Sequence, residues 1–167
     1  MSKLQPYIVP KQTYENIVRL SGCMSKLQPH MVPPVTEAQH ARMEALMDEM
    51  AAAAPDDAGI RISHVLHAGC YARTAFVPAG VLFVSNQVMV PTVVVISGDC
   101  LLTDTDKAVR IQGYEVLAGA QRRQAVFRTL KDTYITAFFA TNAKTIEEAE
   151  REAVADPSRL LRVSEEE

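Results

Sequence analysis

From Thr74 to Gly98 the chain carries no acidic or basic side chain, no histidine and no cysteine, although this stretch, TAFVPAGVLFVSNQVMVPTVVVISG, is its most strand-like part. The gap removes metal ligands, proton-transfer groups and nucleophiles from the centre of the sequence. Cysteine is scarce as well: Cys23, Cys70 and Cys100 are far apart and odd in number. That spacing excludes a disulfide framework or a zinc knuckle and points to reduced thiols and assembly in a cytoplasm. Positive charge is also short. A net charge of -3 and a pI near 5.8 give no basic field for a nucleic-acid backbone, and Arg122, Arg123 and Arg128 form only a small local cluster. The opening MSKLQPYIVPKQTY lacks the apolar region of a signal peptide, and Ser85, Asn86 and Gln87 break the longest apolar run. Neither a signal peptide nor a membrane span is expected.

What is present suffices for one domain with appendages: 167 residues, 48% of them hydrophobic. Residues 1 to 10, MSKLQPYIVP, return at 24 to 33 as MSKLQPHMVP. The prolines of each copy favour extended backbone over helix, and Leu4, Pro6, Ile8 and Val9, with Leu27, Pro29, Met31 and Val32, form two similar docking peptides. At roughly 3.3 Å per residue, the 23 residues from the start of one copy to the start of the next span about 75 Å when extended, far enough to reach two subunits of an assembly. Between them, Lys11 to Leu20 reads as a short helix.

Thr36 followed by Gln39 matches a capping box, and Met43, Leu46, Met47, Met50 and Ala54 recur at helical spacing until Pro55. This predicts a helix over 36–55 with one apolar face for a sheet or a partner. From Ile60 to Ala140 the periodicity changes to two. Short runs at about 60–67, 71–77, 81–90, 92–97, 99–103, 107–111, 114–117, 124–130 and 133–140 are separated by turn residues that include Gly69, Gly98 and Gly113. The reading is mainly β, a barrel or sandwich over 60–142. Thr145 and Glu148 cap a last helix over 145–156, with Ile146, Ala149 and Ala153 on its apolar face, and residues 157–167 form a tail.

YARTAFVPAG from Tyr71 to Gly80, the apolar strand to Ser97-Gly98-Asp99, KDTYIT from Lys131 to Thr136 and the closing capped helix together resemble a small cupin. More narrowly, they resemble the single-domain cupin-like proteins of tailed bacteriophages. The resemblance covers about residues 60–155 and implies a cupin-type jelly roll. In that family, two histidines and a glutamate between Gly80 and Gly98 would bind a metal. Here their positions fall on Asn86, Val88 and Pro91 or Thr92, with the spacing one residue short. The histidine of the second motif, which includes Gly113, falls near Gln124, and the usual proline–glycine turn reads Gly119-Ala120-Gln121. None of these replaces an imidazole or carboxylate ligand, so the resemblance implies a barrel that has lost its metal and needs no cofactor.

Other residues suggest little chemistry. His64 and His67 lie three apart on a strand and point to opposite faces, as surface or edge residues. Cys70 near His67 lacks a third partner for nucleophilic catalysis, and Asp104 and Asp106 lack the rest of a calcium loop. The expectation is therefore a non-enzymatic structural protein of a bacteriophage particle, of the decoration or cement type and assembled in the host cytoplasm. It would form a dimer or trimer and fasten its duplicated arm onto a capsid, neck or tail partner, without nucleic acid or membrane. Two alternatives are a metal-dependent cupin dioxygenase or isomerase and a barrel that binds a small molecule or glycan. The last would use Arg73, Gln87, Arg122, Arg123 and Gln124 as polar contacts.

Overall fold

A computed structural model describes residues 31–53, 58–104 and 107–160. In chain order these form β1 (Met31–Val32), α1 (Glu37–Ala53), β2 (Arg61–His67), β3 (Cys70–Val77), β4 (Leu82–Val84), β5 (Thr92–Asp104), β6 (Lys107–Gly119), β7 (Val126–Thr129), β8 (Thr133–Ala140) and α2 (Ile146–Ala153). A single turn of 3-10 helix follows at Pro157–Arg159. The fold is mainly β with two helices, as its alternating pattern predicts.

The strands run in the order β1-β6-β5-β8-β3-β2, while β7 pairs with both β5 and β4. Strand β5 serves two layers: Val93–Ser97 pair with β8, and Cys100–Thr103 pair with β7. Even-numbered residues Val94, Ile96, Cys100 and Leu102 are all buried, so one face of this long strand supplies the core of both layers. The expected breaks at Gly98 and Gly113 do not end strands. The two glycines face each other in the β5–β6 pair, with φ of 152° and 90°, and the hairpin continues through them. A Cβ on Gly98 would lie 2.7 Å from the Asp132 carbonyl oxygen, so the close approach of the β7–β8 connection requires glycine here. Ala68 and Gly69, with φ of 50° and 74°, form the two-residue turn between β2 and β3, a geometry that matches the twist of the flanking strands.

Both helices begin where their caps predict. The Thr36 N–H donates to Gln39 Oε1 at 2.7 Å and the Gln39 N–H to Thr36 Oγ1 at 3.3 Å. Met43 and Met50 of α1 are then buried with Leu82 and Val126, so its apolar face covers β4 and β7. Thr145 Oγ1 accepts from the Glu148 N–H, and Ala149 and Ala153 of α2 pack on Tyr71 and Phe139. Their small side chains let the helix approach the sheet closely.

One expectation about the arm is corrected. Met31 and Val32 pair in parallel with Ala118 and Gly119, and Val32 joins the barrel core instead of waiting for a partner. The free edge of β6 offers hydrogen bonds to any extended segment beside it, and the alternation of exposed Met31 with buried Val32 suits that edge. Leu4, Pro6, Ile8, Val9, Leu27 and Pro29, the helix expected at Lys11–Leu20, Ala54, Pro55 and Asp106 lie outside the described residues.

Candidate functional site

Because both layers turn an alternating apolar face inward, the barrel interior is hydrophobic, and it is not completely filled. A cavity of about 190 Å³ lies between the layers, walled by residues such as Phe83, Ile96, Leu102, Phe127 and Ile135. The Phe83 and Phe127 rings stack with centroids 4.9 Å apart. An engineered apolar cavity of roughly 150 Å³ takes up benzene, so this volume suits a ligand little larger than one ring. Among the described residues, the ionisable side chains on the lining are three arginines: Arg73, Arg123 and Arg159.

Arg73 stands on β3 and its charge is matched. Its Nη1 donates to Glu150 Oε1 of α2 at 2.5 Å. Tyr71 Oη contacts the same carboxylate at 3.5 Å and His64 Nδ1 at 2.8 Å. Burial pushes the Tyr71 phenol up to about 12, with the Glu150 charge adding to it. Burial, reinforced by Arg73, holds the His64 imidazole below its usual value against the opposing pull of Glu150. His64 is therefore not the surface histidine expected from its edge strand, although His67 is exposed. The sequence did not signal this network, because Glu150 lies 77 residues beyond Arg73 and arrives only when α2 docks.

Arg159 is also matched. It sits in the segment that crosses the cavity after α2 and pairs with Glu44 at 2.7 Å and Asp48 at 2.8 Å, both on α1. Main-chain bonds hold this segment in place: the Met89 N–H donates to the Ala153 oxygen and the Ala155 N–H to the Gln87 oxygen. Arg159 had no place among the expected contacts, since its role follows from the path of the closing segment.

Arg123 differs from both. It is 7% exposed and has no acidic partner among the described residues. Its Nη1 makes long bonds to the Ala120 oxygen at 3.3 Å and the Val90 oxygen at 3.5 Å. Burial lowers its guanidinium to about 10. The side chain lies over Gly119, where a Cβ would be 2.7 Å from Arg123 Nε and 2.6 Å from Thr92 Oγ1. Thr92 shares the inward face of β5 with Val94 and Ile96, and its buried hydroxyl has no hydrogen-bond partner among the described residues.

The other expected contacts lie elsewhere. Gln124 is fully buried but serves α1: its Oε1 meets His40 Nδ1 at 2.7 Å and its Nε2 donates to Glu44 at 3.1 Å. Arg122 pairs with Glu37 at the helix entrance. Gln87 is buried, and its main chain holds the closing segment. None of these three lines the cavity. Arg128 lies on β7, opposite Leu82 and Leu101, so the three-arginine cluster of the sequence is dispersed.

The residues singled out in the sequence as aligned with metal-ligand positions make other contacts. Asn86 Nδ2 donates to the Asp156 oxygen, Val88 offers only an aliphatic side chain, and the Gln124 amide is committed to α1. Among the described residues, no three of histidine, cysteine, aspartate and glutamate come together as ligands.

No family model matches the sequence, and no curated protein matches it significantly. Similar solved structures include a cupin superfamily protein from Desulfitobacterium hafniense, with a TM-score of 0.43 and 8% identity, covering 53% of this chain and 83% of that one. KdgF from a Halomonas species has a TM-score of 0.44 and 13% identity, with coverage of 54% and 86%. An RmlC-like cupin with a double-stranded β-helix fold, from Methanocaldococcus jannaschii, has a TM-score of 0.42 and 9% identity, with coverage of 52% and 84%. The likeness is one of β-barrel architecture and assigns no role to any residue.

Proposed function

We propose that this barrel is a non-enzymatic binding protein that encloses one small, largely apolar molecule. One observation carries the reading: the cavity is hydrophobic, and among the described residues the ionisable groups lining it are arginines, which stay protonated at neutral pH and do not act as acids or bases. The histidine–glutamate pairs near it, His64 with Glu150 and His40 with Glu44, meet the cavity wall through Arg73 and Arg159, which those carboxylates bind. Such a wall can hold and orient a ligand but has little with which to transform it.

The test is binding of benzyl alcohol to the full-length chain, followed by calorimetry, together with mass spectrometry of any compound released on denaturation. Saturable binding at one site is expected, and Ala137→Leu, which fills the cavity from β8, abolishes it. Absence of binding to the wild-type chain refutes the reading.

The outer face of the same sheet favours a second role, pairing with another copy of the chain. Tyr114 and Tyr134 both flank Ser97, and Val116 and Thr136 both flank Val95, so these residues form adjoining rows across β6, β5 and β8. Tyr114 is 67% exposed, and Tyr134 and Val93 are about half exposed. Stacking two such uncharged faces buries apolar area that is otherwise left in water. A stable dimer should appear in sedimentation and dissociate in Tyr114→Glu; a wild-type monomer at high concentration counts against it. Fastening onto a larger particle, as the duplicated arm suggests, is the further part of this role. It predicts that deleting residues 1–30 leaves a folded barrel that no longer assembles.

A further inference from the structure

We propose that Arg123 and Thr92, set over Gly119, form a seat for the carboxylate of a small aromatic or short aliphatic acid whose apolar body fills the cavity. The inference rests on the binding reading above and names its ligand class.

Three observations converge. Arg123 is a cavity-lining guanidinium more than nine-tenths buried, yet its hydrogen bonds are two long contacts from one nitrogen to main-chain oxygens. Arg73 and Arg159, which also line the cavity, each have a carboxylate partner. Beside Gly119, Thr92 supplies a buried hydroxyl without a partner among the described residues. A buried charge and a buried hydroxyl are costly unless compensated, and a carboxylate satisfies both, accepting from the guanidinium fork and from the hydroxyl. Gly119 keeps the seat open, because any Cβ there would collide with both groups.

The charge count favours a carboxylate over a phosphate ester: the one lining cation without an acid among the described residues balances one negative charge, and the remaining wall is too apolar to stabilise a second. The volume and the stacked Phe83–Phe127 pair set the size of the body, near a single ring.

The experiment compares sodium benzoate with benzyl alcohol, by calorimetry on the full-length wild-type chain and on Arg123→Met and Thr92→Val, with folding checked by circular dichroism. Wild type should prefer benzoate by at least about tenfold, as expected for a charge-assisted hydrogen bond. Arg123→Met should abolish this preference while still binding benzyl alcohol, and Thr92→Val should weaken benzoate by about threefold or more without affecting benzyl alcohol. Equal binding of the two probes by wild type, or a preference that survives Arg123→Met, overturns the seat but leaves the cavity reading intact. Binding of neither overturns both. If Arg123→Met does not fold, the wild-type comparison and Thr92→Val decide.

Discussion

The cavity has two charged sides, and they are built differently. Arg73 stands on β3 within a network of Glu150, Tyr71 and His64 that joins two strands to α2. Arg123, beside the β5–β6 edge, reaches only main-chain carbonyls among the described residues. Both arginines were candidate contacts on sequence grounds, and both line the cavity. The difference shows how the same residue type divides its work. A guanidinium with a carboxylate in reach becomes part of the architecture, whereas one left without an acid keeps its binding capacity for something that arrives from outside.

The strongest way to break this contrast is to remove Glu150. Glu150→Ala takes a carboxylate from Arg73 and also strips Tyr71 of an acceptor, so a loss of about 3 kcal/mol of stability is expected in urea denaturation. A loss near zero would mean that the two sides do not differ as described.

Protonation sharpens the contrast next. The folded His64 has a depressed pKa, so the unfolded chain takes up its proton first as pH falls. Its contribution is complete above the ordinary histidine value of 6.5 and disappears as pH drops through the lower folded value. Wild type should therefore lose more stability than His64→Gln between pH 8 and pH 5. At the alkaline end the sign reverses for Tyr71. Raised to about 12, it favours the fold below pH 10, and that contribution is lost as pH climbs through 12. Tyr71→Phe should flatten this alkaline decline in a pH series of denaturation midpoints.

Arg123→Met should do the opposite of Glu150→Ala. Removing an uncompensated buried charge without orphaning an acid should change the stability of the ligand-free protein by less than about 1 kcal/mol, or raise it slightly. A large loss would show that the two carbonyl contacts of Arg123 matter as much as the Glu150 pair does for Arg73. The smallest expected effect calibrates the others away from both sides. Ala68 holds a positive φ of 50° in the β2–β3 turn, and Ala68→Gly should raise the melting temperature by an amount equivalent to about 0.5 kcal/mol.

The residues that made the fold legible act locally. Thr36 with Gln39 and Thr145 with Glu148 mark helix starts because each cap closes within one turn. Period-two burial along Val94, Ile96, Cys100 and Leu102 marks a half-buried strand, because a pleated backbone alternates its faces whatever lies opposite. Gly98 and Gly113 were misleading for the same local reason. A glycine reads as a break, and only the opposing strand shows that the two sit face to face in one continuous hairpin. Val32 likewise read as part of a docking arm until the free edge of β6 took it up.

By itself, then, the sequence determined the β-rich body, its two capped helices and the absence of ionisable groups between Thr74 and Gly98. Tertiary structure decided which arginine is neutralised, since Arg73 meets Glu150 from 77 residues away and Arg123 meets no acid among the described residues. The physical reason is range. Caps and alternation depend on a few neighbouring dihedrals, whereas the compensation of a buried charge depends on which distant element packs against it.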